Sequence, residues 1–416
     1  MPLVIPTSLL AKEKEHVEGF APECLIANQG GQEKLDDPLI IRPTSETLFC
    51  EHYRNIISSY RDLPKLYNQW CSVVRWEKTT RPFLRGSEFL WQEGHTMHET
   101  EVEARTETLK MLEIYDDLGR DILAIPFSKG RKTEKEKFAG ALETYSIEAV
   151  MPDGKALQSG TTHYFGDGFA KAFDIQFQNR EGRLAYPYQT SWGVSTRLLG
   201  AIIMVHGDDN GLVLPPLVAP TQIVVIPVAQ QKPGVIPAAR EIAKKFKDAG
   251  FRVKIDESDK SNGWKYSEYE MKGVPLRIEV GPRDIEQGQV VMAKRNDGSK
   301  TIVKNEEIVQ KAHQLLKTMH EEMYQKALKY LLDHTTEVHS LDELKAALDK
   351  GGYAKMMWCE DEACEDKIKE LYNATARCIP FNQLPFDDVC PVCGKKATKV
   401  VLFANVSWRS LVLPSA

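Results

Sequence analysis

The chain has 416 residues, is 42% hydrophobic and 27% charged, and carries a formal net charge of −5 with a mean hydropathy of −0.37. That length predicts two to three domains of roughly 150 residues, and the composition excludes collagen-like, disordered and membrane-embedded classes. Because 54 basic residues face 59 acidic ones, bulk positive charge is no basis for nucleic-acid binding, and any RNA contact has to be local.

In chain order, Met1–Pro6 shows neither the basic start nor the apolar run of a signal peptide. Residues 1 to about 218 mix strand-like runs at 73–77 and 89–91 with a helical pattern over 99–117, and they hold most of the Arg, Trp and His clusters. They are read as a catalytic domain. The most apolar stretch, 212–229, is broken by Pro215, Pro216 and Pro220, so it cannot cross a bilayer as one helix and is read as an interdomain connection. A βαβ unit follows: a strand from Gln222, a helix with apolar Ala239, Ile242, Ala243, Phe246 and Ala249 closed by Gly250, and a strand from Arg252. A helix over 263–271 and strands at 276–280 and 289–293 complete a compact α/β domain to about residue 304. The domains predicted are thus 1–218, 219–325 and 326–416. From Asn305 an amphipathic pattern runs about seven turns and links the second to the third. There Ser340 with Glu343 reads as a capping box, and Gly351-Gly352 ends that helix.

The strand period of two puts Arg75 and Glu77 on one face, and after an eleven-residue connection Phe89, Trp91, Glu93 and His95 also share one face, which describes a hairpin with an active surface. The connection carries Lys78, Arg81 and Arg85, mobile cations suited to a polyphosphate, beside Phe89 as a flat face for a purine. Taken alone, this is equally an amphipathic hairpin with a solvated loop. Five of the eight cysteines lie after position 358, which predicts a local metal site in a reducing, cytoplasmic compartment instead of a disulfide framework. Cys359-x4-Cys364 and Cys390-x2-Cys393 form two short knuckles suited to tetrahedral zinc, whereas Cys378 between them reads as a buried apolar thiol.

The spacing Arg75-x-Glu77, Arg85-x3-Phe89-x3-Glu93 resembles motif 2 of class II aminoacyl-tRNA synthetases, and 191–197 opening an apolar helix to His206 resembles their motif 3. Around these, the segments 42–47, 89–95 and 136–141 resemble prolyl-tRNA synthetase of the eukaryotic and archaeal type. The resemblance implies an antiparallel-sheet class II catalytic domain, an α/β anticodon-binding domain and a small α+β zinc-binding C-terminal domain. The activity it implies is ATP-dependent formation of prolyl-adenylate and transfer of proline to the 3′ end of tRNA(Pro). The alternative is a non-catalytic tRNA-binding or regulatory relative. Met1–Pro6 resembles the end of motif 1, implying that the N-terminal part of the catalytic domain is lacking and that a homodimer needs it restored. Bacterial-type relatives carry an editing insertion between motifs 2 and 3, but fewer than a hundred residues separate Glu93 from Ser191. Residues 408–416 stand where the family ends in a tyrosine, and Gly86-Ser87 where it has Thr-Arg.

Residue by residue, the resemblance implies that Arg75 and Arg197 are catalytic, with Arg75 bridging the proline carboxylate and the α-phosphate. Glu77, Arg85, Phe89, Gln158, Thr161, Ser195 and Arg197 bind ATP with it, and Gln158 also helps place Mg²⁺. Thr44 and Glu46 take the proline ammonium, while Trp91, His95, Phe138 and His163 wall its ring. Gln158, Thr161 and His163 do not share one strand face, so a bulge or turn is expected near Gly160. Glu279, Arg283, Lys294 and Arg295 are the anticodon-binding candidates, and Cys359, Cys364, Cys390 and Cys393 hold the structural Zn²⁺.

Overall fold

The computed structural model describes residues 1–12 and 24–406; the atypical end at 408–416 lies outside the described residues. The chain forms two compact units, one of Met1–Asp116, Phe127–Ala201 and Asp333–Ala416, the other of Asp117–Pro126 and Ile202–Leu332.

The first unit is built on a ten-stranded sheet. From edge to edge it runs Thr335–Val338, Tyr353–Trp358, Lys399–Ala404, Thr375–Pro380, Ser128–Arg131, Glu143–Val150, Ala156–Gly166, Tyr188–Ser195, Glu88–His98 and Lys65–Val74. Every neighbouring pair is antiparallel except the first. Glu143–Val150 and Ala156–Gly166 are buried along most of their length, as expected of central strands covered on both faces. The C-terminal strands are continuous with the rest of the sheet, because Ile379 pairs with Arg131 and Pro380 with Gly130. Phe49, Tyr53, Phe165, Phe169 and Phe177 form one core of this unit, and Leu344, Met356, Ile368, Val400 and Phe403 form another at the C-terminal end of the sheet. The expected cap is present, with Ser340 accepting from the Glu343 amide at the start of Leu341–Lys350. The Glu343 carboxylate, however, takes the His339 amide and not the Ser340 amide.

The strand predicted over 73–77 stops at Val74. One further ladder bond continues, from the Arg75 amide to Ser87 O, and beyond it Arg75 and Glu77 belong to the connection, where the Arg75 guanidinium reaches Pro43 O and the Glu77 carboxylate pairs with Arg85. The bulge expected near Gly160 is at Ser159: Ile147 faces Gly160 and Glu148 faces Gln158, leaving Ser159 as the extra residue.

In the second unit a five-stranded sheet runs Val253–Ile255, Ile223–Pro227, Leu276–Val280, Gln289–Lys294 and Lys300–Lys304. The first three strands are parallel and the last two antiparallel. The helix Val235–Asp248 buries Ala239, Ile242, Ala243 and Phe246 against it. The helix Ile308–Asp333 places Ile308, Ala312 and Leu316 on the same core. Among the described residues no helix is long and apolar enough to cross a membrane.

Candidate active site

The central strands of the first unit enclose a 620 Å³ cavity. Of the residues singled out from sequence, Thr44, Glu46, Arg75, Phe89, Trp91, His95, Phe138, Gln158, Thr161, His163, Ser195 and Arg197 all line it. Glu77 and Arg85 do not, and instead form an ion pair at 2.6 Å. Ser191, first residue of the segment resembling motif 3, lines it too, with no role assigned to it from sequence; Lys132, Lys369 and Thr144, which also line it, are missed by the sequence reading. Nothing in their local pattern marks them.

One end of the cavity is acidic. Arg42, buried, donates to Met1 O, Pro2 O and Ser72 O, which pins the turn that presents Thr44 and Glu46. The Glu46 carboxylate accepts from Thr44 Oγ1 and, at 3.2 Å, from Ser191 Oγ. Beside it Glu93 accepts from Ser45 Oγ and Gln69 Nε2 and meets His95 Nε2 at 3.0 Å. His95 stacks on Phe49 with centroids 4.4 Å apart. Gly94 between them admits Trp192, whose ring atoms lie 2.0–2.3 Å from where a Cβ would stand. His163 is different: burial pushes it down to about 3, so its ring is neutral. Its Nδ1 lies 3.0 Å from Thr144 Oγ1, a hydroxyl that accepts from the Phe138 amide and has its own proton left for the ring.

Burial pushes the Glu93 carboxyl up, but the His95 charge and hydrogen bond and the Ser45 hydroxyl outweigh it, and the net shift is downward. Burial likewise pushes His95 down, and Glu93 with Glu46 outweighs it, leaving the ring raised. The signs define a window. The raised histidine stabilises fully below its unfolded value of about 6.5 and loses that as pH rises through the folded value; the lowered carboxylate stabilises above about 4.3 and loses that as pH falls. The stability difference between the protein and its His95→Gln variant should therefore peak near pH 5–6. Thermal melts across pH check this, and a pH-independent difference would mean that the pair is not ionic.

The other end is cationic. Arg75 donates Nε to Pro43 O at 3.1 Å and lies 5.6 and 5.4 Å from the ring centres of Phe89 and Trp91. Arg197, first residue of the helix Arg197–His206, donates to Leu84 O and Gln158 O, each at 3.0 Å. Burial, then the charges of Arg75 and Arg85, pull it down to about 10, still a cation at neutral pH. The helix comes this close to the 78–87 connection because residue 200 is glycine; a Cβ there would lie 2.6 Å from Leu84 Cδ2. Arg75 and Arg197 line this end, Arg75 against the rings of Phe89 and Trp91, and with Arg85 close enough to bear on Arg197 the three guanidiniums form a site for a multiply charged anion.

Away from the cavity, the sulfurs of Cys359, Cys364, Cys390 and Cys393 all lie within 4.8 Å of one another. Cys359 is 3.6 Å from Cys364 and 3.5 Å from Cys393, and none is in a disulfide. Tetrahedral zinc with bonds near 2.3 Å spaces sulfurs about 3.8 Å apart, so the donor set fits such an ion. Asp361 caps the helix that carries Cys364. The second knuckle closes through Cys390 N to Lys395 O and Gly394 N to Cys390 O, and the Lys395 amide helps hold the Cys393 thiol down to about 7. Cys378 is fully buried elsewhere, its thiol pushed up to about 12 by that burial.

In the second unit the four sequence candidates do not converge. Arg295 is buried in a bidentate pair with Asp208 at 2.6 and 2.7 Å, and Lys294 is paired with Glu322. Glu279 instead accepts from Arg277 and Lys300, with Arg277 4.1 Å from the Tyr266 ring centre. Arg283 is exposed.

Residues 28–206 match the family profile described as tRNA synthetase class II core domain (G, H, P, S and T), residues 222–315 that of the anticodon binding domain, and residues 341–405 that of prolyl-tRNA synthetase, C-terminal. Core, antiparallel sheet and arginine constellation define a class II aminoacyl-tRNA synthetase. The chain is 58% identical over 406 residues to the "Proline--tRNA ligase" of Clostridium botulinum (strain Loch Maree / Type A3), and equally to those of Lachnoclostridium phytofermentans and Ruminiclostridium cellulolyticum; each match covers 97% of this chain and 85% of the relative. The chain belongs to the prolyl-tRNA synthetase family.

Proposed function

We propose that the protein joins L-proline to tRNA(Pro) in two steps, and the observation that carries this is one cavity with a carboxylate at one end and a group of arginines at the other. Glu46 with Thr44 takes the secondary ammonium, and Trp91, His95, Phe138 and neutral His163 enclose the ring. Arg75, at the cationic end and tied to Pro43 next to Thr44, holds the carboxylate against the α-phosphate, while Arg197 and Arg85 hold the rest of the triphosphate and Phe89 takes the adenine. Thr161 and Ser195 supply polar contacts to the nucleotide, Glu77 orients Arg85, and Gln158 stands where ATP and its Mg²⁺ are placed. Bound Mg²⁺ supplies charge neutralisation on the phosphates. Carboxylate oxygen attacks the α-phosphorus and pyrophosphate leaves, giving prolyl-adenylate; the terminal ribose hydroxyl of tRNA then attacks the prolyl carbonyl and AMP leaves.

Proline-dependent exchange of pyrophosphate into ATP tests the first step, and its absence from the intact chain would sink the reading. Glu46→Ala should raise the proline KM ~10-fold or more, the order of a charged hydrogen bond worth about 1.5–3 kcal/mol, with the ATP KM nearly unchanged. A larger effect on ATP would show that the ends are assigned the wrong way round.

Domains at 1–218, 219–325 and 326–416 serve activation, anticodon binding and zinc binding. The four clustered cysteines hold Zn²⁺, supported by their spacing. For the anticodon, Glu279 and exposed Arg283, joined by Arg277, Tyr266 and Lys300, are better placed than Lys294 and Arg295, whose ion pairs occupy them. The edge strand Lys65–Val74 exposes Trp70 at 80% and Leu66 at 53%, with Leu90 on the next strand at 61%, which supports a second copy of the chain as its partner. The short span between Glu93 and Ser191 and the C-terminal match support the eukaryotic/archaeal type of architecture, which is a matter of domain arrangement and not of source. Free cysteines at all the described positions favour a reducing compartment and with it a cytoplasmic location.

A further inference from the structure

Glu148 is a fully buried carboxylate that the activation chemistry does not use. Lys132 Nζ donates to its Oε1 at 2.6 Å, and Arg377 donates to its Oε2 at 2.9 and 3.2 Å. Lys132 also donates to Arg377 O at 2.6 Å, and all three residues are 3% exposed or less. The three side chains come from neighbouring parts of one sheet. Lys132 follows Ser128–Arg131, Glu148 sits in Glu143–Val150, and Arg377 belongs to Thr375–Pro380, which pairs on the other side of Ser128–Arg131.

Two irregularities meet at this carboxylate. Ser159 is the extra residue opposite Ile147 and Glu148. Arg377 is the extra residue of its own strand, since Ala376 faces Phe403 and Cys378 faces Leu402. A bulge re-aims side chains locally; one here turns Arg377 onto Glu148, and the other sets the direction of Gln158, which is paired with Glu148 in the ladder. Gln158 O in turn receives Arg197. A buried ionic triad is a poor source of net stability compared with apolar packing, but it fixes register sharply, because moving one member leaves buried charge uncompensated.

We propose that Glu148, clamped by Lys132 and by Arg377 of the C-terminal segment, is a positioning residue of the ATP subsite that sets Gln158 and, through its carbonyl, Arg197. This rests on the ligase reading above. It makes the C-terminal segment part of the activation machinery, acting on nucleotide and not on proline, whose ligands Thr44, Glu46 and Ser191 lie outside this connection.

The experiment uses the intact chain with Glu148→Gln, Arg377→Met and Arg377→Lys, measuring KM for ATP and for proline separately in pyrophosphate exchange, Mg·ATP binding by calorimetry, and thermal melts. Glu148→Gln and Arg377→Met should raise the ATP KM and weaken Mg·ATP binding ~10-fold or more and leave the proline KM within about twofold, the sizes expected for loss of a charged contact, whereas Arg377→Lys, which keeps the charge, should retain most of the parent's ATP binding. A purely structural triad would lower the melting temperature and the active fraction, hence kcat, with both KM values unchanged. That result, or equal rises in both KM values, overturns the proposal. If Arg377→Met does not fold, Glu148→Gln decides by the same criteria. A parent chain showing neither ATP binding nor exchange overturns the ligase reading itself, whereas an active parent with variants indifferent to substrate overturns only this inference.

Discussion

Arg75→Ala is expected to lower proline-dependent pyrophosphate exchange by ~10²–10³-fold, about 3–4 kcal/mol of transition-state stabilisation, the size found when a preorganised donor is removed from a reacting centre. Pro43 O fixes its Nε, and the rings of Phe89 and Trp91 lie alongside, so the guanidinium is oriented before substrate arrives. The neighbouring cations Arg85 and Arg197 cannot replace it. One is engaged with Glu77 and the other with two backbone carbonyls. Arg75→Lys should recover little, because an ammonium cannot offer two parallel N–H donors to a carboxylate and a phosphate at once. Steady-state exchange at saturating substrates measures the effect; a change below about tenfold would remove Arg75 from the reacting centre.

Cys390→Ser is expected to take the metal content from one zinc per chain to none and to loosen the structure around both knuckles. Structural zinc sites of this kind contribute on the order of 10 kcal/mol of apparent binding free energy to folding. Here the loss falls on a segment with its own apolar core of Met356, Ile368, Val400 and Phe403, so the strands should persist while residues 359–364 and 390–395 lose protection. Metal analysis with hydrogen exchange is the check. Full zinc content in Cys390→Ser, or unchanged exchange at both knuckles, would contradict the assignment. Chelation should act on these segments before it acts on adenylate formation, since among the described residues no thiol lines the cavity.

Motif spacing made much of the site legible, because the chemistry constrains residues that are close in sequence. Strand alternation alone placed Phe89, Trp91, Glu93 and His95 on one face, and all four line the cavity. The conflict of faces at Gln158, Thr161 and His163 called for an irregularity, and Ser159 supplies it. Local signals also marked the caps and the two knuckles: Ser340 accepts the Glu343 amide, and the four sulfurs gather as their spacing implied. Charge alone was a weaker guide in the second unit, where Lys294 and Arg295 proved to have internal partners, Glu322 and Asp208.

The sequence by itself determined which strands and helices form and which residue types the reaction calls for, since periodicity, turns and short motifs act over a few residues. Only the tertiary structure decided that the C-terminal strands join the central sheet, that Arg377 reaches Glu148, and that Lys369 and Lys132 line a cavity with residues far away in the chain. The physical reason is that strand pairing and buried ion pairing depend on which edges meet in space, and a pairing between residues 131 and 379 leaves no local pattern at either end.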